Sequence, residues 1–159
     1  MMKKKNLSDY NPTTIPDGSH YRIGIVYAEW NSEITTAMRD GAVRTLEEHG
    51  VKSKNITILP VPGTYELSCG ANWMANNDDI DAVICIGCVI QGETRHFEFI
   101  CQAVSQGLTN VSIQTDKPII FSVLTCDTME QALDRAGGNH GNKGVEGAVT
   151  ALKMCALYK

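Results

Sequence analysis

Four short stretches hold side chains able to do chemistry. Gly92-Glu93-Thr94-Arg95-His96 puts a carboxylate, a hydroxyl and an imidazole within about one helical turn. An imidazole there can exchange protons near pH 7, and Thr94 stands where a helix N-cap or an anion-binding amide cluster would form, with Gly92 freeing the backbone at the turn. Arg135 and Lys143 flank the glycine-rich 137–142. A guanidinium grips one phosphate bidentately, and an ammonium adds a point charge. This is not a nucleotide phosphate loop, because Asn142-Lys143-Gly144 breaks the G-x-x-x-x-G-K-[ST] pattern and the preceding element reads as a helix. Glu29-Trp30-Asn31 offers a stacking platform for a flat heterocycle. Thr64-Tyr65-Glu66 offers a carboxylate and helix-start amides that suit a polyhydroxy chain. Taken singly, each has a plainer explanation: a packing Trp, a Glu complementing a helix dipole, a structural His, two solvated cations.

The elements that must position these residues follow from hydrophobic periodicity. Apolar, β-branched runs at 22–28, 55–60, 82–90 and 117–124 read as strands. Helical spacing follows Asn31-Ser32 and ends near His49-Gly50, then recurs at 65–75, 94–108, 129–136 and 145–157. Strands that alternate with amphipathic helices predict an α/β fold, a central parallel sheet of four strands flanked by helices in three layers. Ligands of such sheets bind beyond the carboxyl ends of the strands, where all four stretches are expected to lie. Residues 1–20, with Pro12, Pro16 and Gly18 among polar neighbours, read as an N-terminal arm that leaves a single domain at 21–159.

The chain has 159 residues, the size of one domain. Its formal charge of −4 argues against broad affinity for nucleic acid or anionic lipid, while leaving room for one local phosphate pocket. No apolar run approaches the roughly 18 residues of a membrane helix, and Met1-Met2-Lys3-Lys4-Lys5 is followed by polar residues rather than a signal-peptide core. A cytoplasmic chain with reduced cysteines is therefore expected. Cys85-Ile86-Gly87-Cys88 matches C-x-x-C, but on a strand an odd spacing sends the two thiols to opposite faces. Both are expected to be small core residues, and no metal or cofactor site is read from them.

Taken together, Trp30-Asn31, Val61 to Leu67, Gly87 to Phe99, and Arg135-Ala136-Gly137 through Gly141-Asn142-Lys143-Gly144 resemble the 6,7-dimethyl-8-ribityllumazine synthase family, in the same order and at the same separations from about Arg22 to Leu157. The resemblance implies a flavodoxin-like fold. It also implies a cofactor-free and metal-free condensation of 5-amino-6-(D-ribitylamino)uracil with 3,4-dihydroxy-2-butanone 4-phosphate, releasing phosphate and water. By the same resemblance Trp30, with Asn31 beside it, stacks on the pyrimidine. Backbone of Cys88, Val89 and Ile90 lines the ring pocket, and Thr64, Tyr65 and Glu66 hold the ribityl hydroxyls. Glu93, Thr94 and Arg135 bind phosphate, and His96 transfers protons. Phe121 and Arg135 would come from an adjacent subunit, with Lys143 near the ribityl side. Three positions depart from the family pattern: Gln91 where a basic residue is frequent, Ser68 where Pro is common, and Trp30 for the more frequent Phe.

The resemblance further implies a homo-oligomer with active sites between neighbouring subunits of a pentamer. The 137–142 linker shows no insertion, which in this family goes with a hollow icosahedral shell, one able to enclose riboflavin synthase as a partner. The arm would lay a strand on the neighbouring sheet. Two other classes compete: a flavin-binding flavodoxin-like module and a catalytically silent shell protein. Glu29-Trp30-Asn31-Ser32 lacks the glycine- and hydroxyl-rich loop that the first requires, and the presence of His96, Arg135 and Lys143 in one chain weighs against the second.

Overall fold

In the computed structural model, which describes residues 6–158, the chain alternates strand and helix as the periodicity predicts. The elements are β1 (Ile23–Ala28), α1 (Ser32–Glu48), β2 (Ile56–Val61), α2 (Leu67–Ala75), β3 (Ala82–Ile90), α3 (His96–Thr115), β4 (Ile119–Cys126), α4 (Met129–Asp134), β5 (Ala136–Gly138), β6 (Gly141–Asn142) and α5 (Lys143–Leu157). The first four strands form one parallel sheet in the order β2-β1-β3-β4.

The layers follow from the two-residue period of the pleat. Along β3, Ala82, Ile84, Ile86 and Cys88 pack with Ile34, Met38, Leu46 and Leu152 on the α1/α5 side. Val83 and Cys85 pack with Leu67, Ala71, Val104 and Leu108 on the α2/α3 side. The two thiols of the C-x-x-C sequence therefore lie in different layers. Burial pushes the Cys88 thiol up to about 12 and Cys85 higher still, so both are inert core groups.

Four expectations are corrected. The third helix runs past 108 to Thr115, because Val111 extends the buried stripe of Val104 and Leu108. It stops where Asp116 turns left-handed (φ 55°) ahead of Pro118. The helix expected from 65 begins at Leu67, after a single 3₁₀ turn over Thr64–Glu66. The glycine-rich linker is a small antiparallel hairpin, β5–β6, whose Gly137 (φ 115°) and Gly141 (φ 89°) occupy backbone space that other residues rarely adopt. α5 then starts two residues early because the Asn142 side chain accepts from the amides of Gly144 and Val145, as an N-cap does.

Residues 1–5 of the expected arm lie outside the described residues, and residues 6–20, instead of leaving the domain, form no strand and lie on it. The Leu7 amide donates to His140 O (3.2 Å), Tyr10 Oη pairs with His49 Nε2 (3.0 Å), and the Gly18 amide donates to His49 O (2.7 Å). Ile15 packs against the α1/α5 core. Among the described residues no helix is long and apolar enough to cross a membrane.

Candidate active site

Successive crossovers leave β1 in opposite directions. The chain passes from β1 through α1 to β2, then returns over the other face through α2 to β3. The carboxyl ends of β1 and β3 therefore flank the switch point, the place where sheets of this kind open a crevice. Three of the four chemically competent stretches meet along this edge.

The loop after β1 is tied sideways to the loop after β2, with the amides of Glu29 and Trp30 donating to Val61 O (2.8 Å) and Pro62 O (3.1 Å). Asn31 takes a left-handed conformation (φ 59°), which Asn tolerates better than most residues, and its Nδ2 donates to Cys88 O across the crevice (3.0 Å). From the other side, the Cys88 amide donates to Thr64 Oγ1 (3.2 Å). Cys88 thus fixes Asn31 through its carbonyl and Thr64 through its amide. Gly87 makes this possible, since a Cβ there would come within 2.7 Å of Thr64 Oγ1. An isolated Gly inside a strand is the sequence signal for such a close approach.

With this scaffold set, the Trp30 ring stands out from the edge, 73% exposed, and Tyr65 is 59% exposed. A Cβ on Gly63 would lie 3.2 Å from the Trp30 ring and 3.1 Å from Glu66 Oε2, so the indole and the carboxylate border the same bare stretch of backbone. Thr64 differs from its two neighbours. It is buried, with its hydroxyl turned to Cys88, so it braces the pocket floor.

Beyond β3, Val89 and Ile90 are half-buried and the chain enters the exposed loop 91–95. The Gln91 amide donates to Cys126 O (2.8 Å), which anchors this loop to the end of β4. Thr94 is not the N-cap of α3. Arg95 holds that position without a side-chain bond, and Thr94 Oγ1 instead accepts from the His96 amide (3.3 Å). Glu93, Thr94 and the His96 side chain are exposed, and a Cβ on Gly92 would meet nothing within 4 Å.

Phe121, Arg135 and Lys143 lie elsewhere, around β4 at the sheet's edge. Phe121 is 40% exposed and shares a hollow of about 360 Å³ with Lys143, Ser122 and Met154. Arg135 and Lys143 line a second hollow of about 280 Å³ with Cys126, Gln131 and His140. Arg135 Nη1 donates to its own helix at Gln131 O (3.0 Å). Burial raises the Cys126 thiol, and the Arg135 guanidinium offsets part of that rise. Lys143 pairs with Glu146 (3.2 Å). Among the described residues no group of three His, Cys, Asp or Glu could hold a metal ion.

Residues 20–159 match the family model described as 6,7-dimethyl-8-ribityllumazine synthase. The chain belongs to the 6,7-dimethyl-8-ribityllumazine synthase family. Proteins of that name include one from Cytophaga hutchinsonii, 60% identical over 152 residues that span 96% of this chain and 95% of that protein. Another, from Porphyromonas gingivalis, is 53% identical over 97% of this chain and 96% of its own length. A third, from Parabacteroides distasonis, is 52% identical over 94% of each. As a member of this lumazine synthase family the chain is an enzyme, a transferase of riboflavin biosynthesis. Gly63 and Gly87, to which the sequence patterns gave no role, set the geometry of the edge, and Asn142 caps α5.

Proposed function

We propose that the chain condenses 5-amino-6-(D-ribitylamino)uracil with 3,4-dihydroxy-2-butanone 4-phosphate to 6,7-dimethyl-8-ribityllumazine, releasing phosphate and water, at the edge above β1 and β3. The observation that carries this reading is the braced crevice, in which Asn31 and Thr64 clamp Cys88 and leave the exposed Trp30 ring and the half-exposed Glu66 carboxylate bordering the same backbone, at the edge where the 91–95 loop leads into His96 at the start of α3. A flat ring stacks on Trp30 over the backbone of Cys88, Val89 and Ile90. Tyr65 and Glu66 take the ribityl hydroxyls with Lys143 on the ribityl side, while Glu93, Thr94 and Arg135 take the phosphate.

The amine is already a nucleophile, so the chain's main task is to hold two molecules in register. Orientation alone contributes several kcal/mol. His96 moves protons during imine formation, phosphate loss and ring closure.

The site is completed between subunits of a homo-pentamer, with Phe121 and Arg135 supplied by a neighbour. Their place along an open sheet edge supports this, as does the large exposed apolar area of Phe99 and Ile113 on α3 and Trp73 on α2. We extend the reading to a shell of pentamers able to enclose riboflavin synthase, in a cytoplasmic setting. Lumazine fluorescence from purified, metal-free protein given both substrates tests the activity. A rate above the spontaneous reaction is expected, and no excess from a folded oligomer would overturn the reading.

A further inference from the structure

The N-terminal arm reaches the side of the molecule that carries Lys143, along β4, through one hydroxyl. Ser8 Oγ accepts the Asn142 amide proton at 2.7 Å and lies 3.1 Å from Glu146 Oε2, with Asn142 O at 3.0 Å as a weaker, uncharged alternative for its single proton. The carboxylate is the stronger acceptor. The other oxygen of that carboxylate, Oε1, holds Lys143 Nζ at 3.2 Å. Asn142 is itself tied to two helices. It is buried, caps α5, and donates through Nδ2 to Ala37 O of α1 (3.1 Å). The seat is shaped for the arm, because a Cβ at Gly141 would collide with both Asn6 and Ser8.

We propose that Ser8 is a positioning residue for the reaction: the arm orients Glu146, and Glu146 orients the Lys143 ammonium toward the ribityl-bearing substrate. The proposal rests on the assignment of Lys143 to that substrate. Without the Ser8 hydroxyl, Glu146 loses the bond that fixes its rotamer, and Lys143 is held by a mobile partner. The cost then falls on binding of the ribityl substrate, not on the chemical step.

The test compares wild type, Ser8→Ala, Ser8→Thr, Lys143→Ala and the Ser8→Ala/Lys143→Ala double variant as full-length oligomers. The expected result for Ser8→Ala is a KM for the ribitylaminouracil raised about five- to tenfold, with kcat and the KM for the phosphate substrate within about twofold. Ser8→Thr, which keeps the hydroxyl, is expected to restore the wild-type KM, and adding Ser8→Ala to Lys143→Ala is expected to cost less than about twofold more. Full additivity in the double variant overturns the proposal, as does an unchanged KM in Ser8→Ala, or a loss that tracks a changed oligomer mass or unfolding midpoint. A wild type without turnover overturns the function reading and the proposal with it. An active wild type whose Lys143→Ala variant keeps its KM overturns the proposal alone.

Discussion

The sheet edge above β1 and β3 is closed by bonds within the chain, whereas the edge along β4 is open. Above β1 and β3, Asn31 and Thr64 meet on opposite sides of Cys88, and the loops after β1 and β2 are joined by backbone bonds. Along β4, Phe121 stands 40% exposed, Arg135 folds back onto its own helix, and Lys143 pairs with Glu146. The first region is fixed before any ligand arrives, and on the proposed reading it holds a ring in place. The second presents an aromatic, a guanidinium and an ammonium around two open hollows of about 360 and 280 Å³. On the proposed reading, fixed geometry near the reacting atoms and completion by a neighbour at the periphery suit an enzyme whose catalysis is mainly alignment of two small molecules.

The sharpest way to break this comparison is to remove the proton-transfer group from the preorganised side. His96→Ala is expected to lower kcat roughly 10²–10⁴-fold and still leave a rate above buffer, since alignment survives. Complete loss of turnover with normal substrate binding would show that alignment contributes little.

Complementation probes the open side. Arg135→Ala and His96→Ala proteins, each nearly inactive, are unfolded, mixed in equal amounts and refolded together. About a quarter of the sites then combine an intact His96 with a neighbour's intact Arg135, if rings assemble at random. Recovered turnover near that fraction of wild type is expected. A mixture no more active than its parts would place both residues on one chain.

The brace itself predicts a smaller effect, on stability. Thr64→Val keeps the shape and leaves the Cys88 amide unpaired in the interior, for an expected loss of about 1–3 kcal/mol in urea unfolding. An equivalent change at exposed Thr94 is expected to lie within about 0.5 kcal/mol. Equal losses at the two positions would erase the distinction between a braced and a free hydroxyl.

The smallest effect concerns pH. Burial raises the Cys88 and Cys155 thiols to about 12 from an ordinary value of 9.0. The unfolded chain therefore gives up these protons at lower pH than the folded one. Their contribution is fully present below about pH 9 and is lost as pH rises toward 12. Stability should fall across that window, and Cys88→Ala should flatten the fall. A slope unchanged by the substitution would mean that other groups cause it.

Much of this organisation is legible in the chain. The four strands, the five helices and the separation of Cys85 from Cys88 follow from periods of 2 and 3.6 residues, which are local properties of the backbone. So does the placement of Trp30, Glu66 and His96 just beyond strand ends. The cap on α5 was within reach too, since an Asn three residues before Val145 is an ordinary helix-start signal. The hairpin at 136–142 is less legible, because three glycines license a turn without saying which turn.

What the sequence alone determined is the alternation of elements and the types of group at their ends. The order β2-β1-β3-β4, the grip of Asn31 and Thr64 on Cys88, the inward turn of the Thr64 hydroxyl, and the contact of Ser8 with a residue 138 positions away were decided only by tertiary structure. The physical reason is range. Propensity and periodicity act over one or two turns of chain, while a bond between distant residues forms only when packing of both sheet faces has already brought their backbones together.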